Sequence, residues 1–110
     1  MEISSRAVER IAEVAAQRVR AVVRQSATFG RGLPKATAKV AGRHVRLDVA
    51  VVARWGRPLP ETAGAVRSLV AEQVSELTGL VVDAVAVDIV AFAIDPKAPA
   101  VPGTGDEDER

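Results

Sequence analysis

Cysteine and tyrosine are absent from the 110 residues, and histidine and tryptophan occur once each. Without cysteine there can be no disulfide framework, no thiolate nucleophile and no cysteine-held metal, and the absence fits a cytoplasmic chain. With His44 as the sole histidine, a metal site would need clustered carboxylates that the sequence does not present. Aromatic residues make up only 3% of the chain, so no stacking platform for nucleic-acid bases is available. Long uncharged apolar runs are missing too. Leu80 to Ile94, the most apolar region, is cut by Asp83 and Asp88, far short of the roughly 20 residues that a membrane-spanning helix needs. Met1 to Arg6 runs straight into charged sequence without the apolar stretch of a secretory signal. Nor does one sign of charge dominate: 15 Lys and Arg against 14 Asp and Glu leave a formal charge of +1, far from a dedicated phosphate-backbone binder.

What is present is valine, alanine, leucine and isoleucine in periodic order. From Ser5 to Arg24, Val8, Ile11, Ala12, Ala15, Val19, Val22 and Val23 recur at three- and four-residue steps, the stripe of an amphipathic helix. Ser4 or Ser5 can cap it, and Arg6, Glu9, Arg10, Glu13, Gln17, Arg20 and Arg24 fall on a face expected to be wet. Arg18, Arg20 and Arg24 gather toward its C-terminal end, where the helix dipole favours positive charge. Gln25 to Pro34 has no period and reads as a loop. Ala36 to Ala41 and Val45 to Trp55 alternate as strands do, joined by the turn Ala41-Gly42-Arg43-His44, and should pair as a hairpin. A second helix is expected from Pro60 or Glu61 to Thr78, burying Ala63, Val66, Val70, Val74 and Leu77 and ending at Gly79. A long strand follows from Leu80 to Ile94, with Val85, Val87 and Ile89 on one face.

These elements predict an α+β fold of two layers, a three-stranded sheet with two helices on one face, in the order α-β-β-α-β. One domain is expected over residues 1–95. Residues 96–110, rich in proline and glycine and ending in the acidic run Asp106 to Glu109, read as a disordered tail.

Candidate chemistry is sparse. His44 beside the hairpin turn has no evident orienting carboxylate or nucleophile, and Ser68 and Ser75 lack the strained turn of a nucleophile elbow. Asp48 and Asp88 share a sheet face with Arg46 and Arg54, which points to cross-strand ion pairs rather than acid and base work. Gly30-Arg31-Gly32 lacks the spacing and lysine of a phosphate loop. No catalytic, cofactor-binding or metal-ligating residue is therefore assigned. The face carrying Ala50, Val52, Ala84, Ala86, Val90 and Phe92 is too apolar and small-sided to stay fully in water. Either it is an interaction site, or the loop from Gln25 to Pro34 or the tail covers it, and Trp55 is either core edge or an interface anchor. Val52, Trp55, Val90 and Phe92 are the candidate interaction residues.

Taken in order, Val8-Glu9-Arg10-Ile11-Ala12, Val45-Arg46-Leu47-Asp48-Val49, Trp55-Gly56, Pro58-Leu59-Pro60-Glu61, Leu77-Thr78-Gly79-Leu80 and Val85-Ala86-Val87-Asp88-Ile89 resemble the alkaline shock protein family of bacterial envelope stress response proteins. The likeness spans Ile3 to Ile94. Departures are Val22-Val23 where a Gly-Val pair is common, and Trp55 where tyrosine is more usual. The resemblance implies a cytoplasmic, non-enzymatic protein that binds no cofactor, self-assembles and is brought to the membrane by a membrane-anchored partner. The alternative is a small KH-like nucleic-acid-binding module using the first-helix arginines with Arg43, Arg46 and Arg54, although the GXXG loop of such domains is missing.

Overall fold

Ser4 opens the first helix by accepting the Ala7 N–H on its hydroxyl at 3.1 Å, the geometry that serine favours at a helix start. The computed structural model describes residues 3–24 and 32–93. Within them α1 spans Ser5–Gln17, β1 Val22–Val23, β2 Lys35–Ala41, β3 His44–Arg54, α2 Leu59–Thr78 and β4 Val81–Ala93. The expected tail over 96–110, and most of the loop from Gln25 to Pro34, lie outside the described residues.

The first helix is shorter than the apolar period predicts. After Gln17 the chain tightens: Arg18, Val19 and Val22 each donate to the carbonyl three residues back, at 3.0, 3.2 and 2.9 Å. Such bonds close a final turn and leave the helix. Val22 and Val23 then pair antiparallel with Ala53 and Val52, where β-branched side chains fit a pleated surface. A fourth strand thus replaces the end of the expected helix. Arg20 and Arg24 fall beyond the last helical turn, which holds no basic residue, so the dipole explanation for them fails.

Strand β3 organises a mixed sheet. It pairs in parallel with β4 along its whole length, and antiparallel with β2 from His44 to Ala50 and with β1 at Val52 and Ala53. β2 and β1 therefore lie end to end on one side of β3, with β4 on the other. Gly42, at φ 62°, makes the two-residue turn between β2 and β3, and α2 is the crossover that parallel β3 and β4 require.

Alternation places Val45, Leu47, Val49 and Val51 on the helix-covered face, all at most 2% exposed. They meet Val8, Ala12, Ala15 and Ala16 of α1 and Val66, Val70 and Val74 of α2. Burying each of the larger side chains stabilises by roughly 1.5 to 3 kcal/mol. On α2 the buried positions are Thr62, Val66, Val70 and Val74. Ala63 is only half-buried and Leu77 is 64% exposed, against expectation for both. Gly79, at φ 76°, closes the helix, and the Thr78 hydroxyl both donates to the Val74 carbonyl and accepts the Leu80 N–H.

The polar face of α1 is not simply wet. Glu13 accepts the Ala36 N–H at 3.0 Å and Glu9 accepts the Ala38 N–H at 2.9 Å. One turn apart on the helix, the two carboxylates match alternate amides along β2.

Candidate interaction surface

Strand β3 is tied on both sides where it ends. Arg54 donates its N–H to the Ala21 carbonyl at 2.7 Å and its Nε–H to the Arg20 carbonyl at 2.9 Å, while the Trp55 N–H reaches the Ala93 carbonyl at 3.0 Å. Gly56 then turns the chain at φ 97°, a backbone conformation that side-chain-bearing residues rarely adopt. These constraints hold Trp55 against Phe92 with ring centroids 5.5 Å apart and planes at 89°. An edge-to-face pair of this kind is worth about 0.5 to 1.5 kcal/mol beyond its area.

Trp55, Val90 and Phe92 are 55%, 50% and 44% exposed. Three of the four candidate interaction residues thus present apolar surface to solvent at one end of the sheet. Val52, the fourth, is 3% exposed, flanked in register by Val23 of β1 and Ala91 of β4. The apolar face read from alternation is also broken. The β3–β4 register slips between Val51 and Val52, leaving Val90 without a partner in register and setting Phe92 opposite Ala53, where an unbroken register would set it opposite Arg54. Such a bulge re-aims the side chains beyond it.

Along this end and onward, the outer side of β4 has no strand partner among the described residues. Arg67 of α2 reaches it once, donating from Nε to the Val85 carbonyl at 3.4 Å. An unpaired strand edge offers backbone donors and acceptors to an added strand.

His44 does have a carboxylate partner. A second slip, between Val45 and Arg46, sets Asp83 out of register, and its Oδ1 lies 2.9 Å from His44 Nδ1, with both side chains well exposed. No hydroxyl is hydrogen-bonded to that imidazole among the described residues, and Ser68 and Ser75 stand exposed on α2. Asp48 lies opposite Thr37 and Ala86, and Asp88 opposite Ala50; neither forms an ion pair with Arg46 among the described residues. Arg46 instead faces Lys39 across the hairpin, a like-charged pairing.

The arginines do not form one groove. Arg6 and Arg10 border a polar cleft of about 400 Å³ with Arg24 and Lys35, whereas Arg43 sits in the hairpin turn and Arg46 on the sheet face away from the helices. Glu9 and Glu13 line the same cleft. Among the described residues no three His, Asp or Glu side chains stand together as metal ligands, and no helix is long and apolar enough to cross a membrane.

Comparison with known proteins places this geometry. The model of the alkaline shock protein 23 family, described by a cell envelope-related function, matches residues 1–94. No curated protein matches the chain. Among solved structures, a MamM CTD variant in its manganese form superimposes with a TM-score of 0.53 at 20% identity, covering 80% of this chain and 99% of that one. A copper form of a MamM CTD variant gives 0.54 at 19% identity, covering 80% and 98%. At these identities the likeness is one of fold.

Proposed function

Because the chain belongs to the alkaline shock protein 23 family, whose function is cell envelope-related, we propose that it is a non-enzymatic, self-associating scaffold or protein-interaction module. In this reading it works on the cytoplasmic side of the membrane, recruited by a membrane-anchored partner. The observation that carries it is the exposed Trp55, Val90 and Phe92 cluster at the end of the open β4 edge. Three half-exposed side chains alone fall short of the ~1,200 to 2,000 Å² that stable interfaces bury. An edge that can also exchange backbone hydrogen bonds supplies the rest by strand addition, and a second copy carries the same edge.

Metal binding is not part of this reading. The manganese and copper forms belong to the MamM CTD, and among the described residues no three His, Asp or Glu side chains stand together. The nucleic-acid alternative is weaker because its arginines are dispersed over the cleft, the turn and the far sheet face.

Light scattering over a concentration series tests the proposal. The wild-type chain should form an assembly larger than a monomer, and Phe92→Asp should dissociate it without changing the far-UV circular dichroism. A wild-type chain that stays monomeric at high concentration would overturn the proposal, as would a folded Phe92→Asp variant that assembles like wild type.

A further inference from the structure

The helical layer carries an apolar surface of its own. A groove of about 260 Å³ between the helices is walled by Ile11, Val14 and Ala15 of α1 and Leu77 of α2. A second, of about 370 Å³, is walled by Val19 and Ala21 just beyond α1 and by Ala65 and Leu69 of α2. Moving from the first to the second advances along α1 and retreats along α2, so the helices run antiparallel and the grooves follow one another along a single seam. From Leu77 back to Glu61 the seam is about 24 Å long, at 1.5 Å per helical residue. Val14 is 51% exposed, and Leu77, which the helical period places among the buried positions of α2, is 64% exposed.

The rim of the seam is positive. Arg10 and Arg18 border the first groove, Arg20 and Arg57 the second, and Glu61 is the one carboxylate among the lining residues. All four arginines are exposed, and among the described residues none of their guanidinium groups has a hydrogen bond or ion pair.

The geometry points to this seam as the docking site for an amphipathic helix of a partner protein, with apolar side chains at three- and four-residue spacing and acidic residues along its flanks. Helix-in-groove recognition uses apolar anchors spaced in that way, and here the arginine rim selects the flanking charge. The chain's own acidic run, Asp106 to Glu109, meets the charge requirement only: residues 96–110 contain three prolines and one large apolar residue, Val101. A second copy meeting the seam with its own seam would set arginine against arginine. The inference adds a surface to the interaction module proposed above and rests on that class of function, but not on self-association through Phe92.

Fluorescence anisotropy with the full chain and a labelled peptide of about 18 residues, close to the seam's length as a helix, tests it. The peptide carries leucine at helical spacing and glutamate elsewhere; its controls are a scrambled order and a version with lysine for glutamate. The acidic amphipathic peptide should bind, and both controls should bind at least about tenfold more weakly, a difference of about 1.4 kcal/mol. Val14→Glu with Leu77→Glu should weaken binding by a similar factor, and Arg18→Glu with Arg57→Glu should also flatten its salt dependence. Both pairs lie at exposed positions, and circular dichroism checks their folding. Failure of the acidic peptide to bind, equal binding of the scrambled peptide, or unchanged binding to the folded Val14→Glu, Leu77→Glu chain overturns the inference. So does tighter binding after Asp106→Asn, Glu107→Gln, Asp108→Asn and Glu109→Gln together, which would make the chain's own acidic run the occupant. Loss of self-association in the Leu77→Glu chain would make the seam a contact between copies and likewise overturn it.

Discussion

Glu9 accepts the backbone N–H of Ala38 at 2.9 Å, joining a helix to an edge strand 29 residues further along the chain. With Glu13 on Ala36 it occupies β2 amides that point away from β3, the groups an exposed edge would otherwise offer to another chain. Two outward amides of β2 are thereby capped by side chains, whereas the outer side of β4 has no strand partner among the described residues.

Glu9→Ala combined with Glu13→Ala should lower stability by about 2 to 4 kcal/mol, since hydrogen bonds to charged groups are each worth roughly 1.5 to 3 kcal/mol and these sites are only partly buried. Urea unfolding measures the loss. The double variant should also aggregate more readily than wild type, because its β2 amides are uncovered; an unchanged midpoint would show that the carboxylates are dispensable.

Val70 and Leu77 are both large apolar residues of α2, yet Val70 is fully buried and Leu77 largely exposed. Val70→Ala should cost about 2 kcal/mol through lost burial and an unfilled cavity. Leu77→Ala should stay within about 0.5 kcal/mol, as surface substitutions usually do. Equal losses in thermal or urea unfolding would contradict the helix orientation described above.

Gly79→Ala isolates backbone strain. A β-carbon there would meet nothing within 4 Å, but the residue sits at φ 76°. The variant should lose about 1 to 2 kcal/mol, the cost of left-handed backbone for an L-residue. Gly79→Asn should lose less, since asparagine tolerates that conformation best among the others. Differential scanning calorimetry of the two variants distinguishes strain from any packing effect.

The His44 and Asp83 pair is close but solvent-exposed, with side chains 57% and 41% accessible. Exposed pairs contribute from nothing to about 1 kcal/mol. Asp83→Asn should accordingly shift stability by less than about 1 kcal/mol, measured by urea unfolding at low salt, and the difference from wild type should shrink as salt is added.

Much of this architecture was legible where one residue type admits one conformation. Gly42 and Gly79 marked a turn and a helix end, and Val45, Leu47, Val49 and Val51 marked the covered face by strict alternation. Val22 and Val23 were not legible, because valine at three- and four-residue spacing continues a helical stripe and equally suits a strand. What separated the readings was a partner, Val52 and Ala53, thirty residues away. Leu77 satisfies the helical period but faces the seam between the helices, which periodicity alone cannot reveal. The carboxylate for His44 was hidden for a related reason: Asp83 comes beside it through the parallel pairing of β3 with β4, 39 residues along the chain, at a register slip that has no local signature. Of the four candidate residues, Trp55, Val90 and Phe92 are exposed and Val52 is buried between Val23 and Ala91, neighbours on other strands that alternation along β3 alone cannot reveal.

Since among the described residues β1, β2 and β4 each pair with β3 and none of them with another, removing β3 from its place would release all three at once. Its central amides, from Leu47 to Val51, should therefore be the slowest in the protein to exchange with deuterated solvent, opening only when the whole molecule unfolds. The outer strands can fray from their free ends without that event, so exchange rates should grade outward from β3 rather than from one end of the chain to the other.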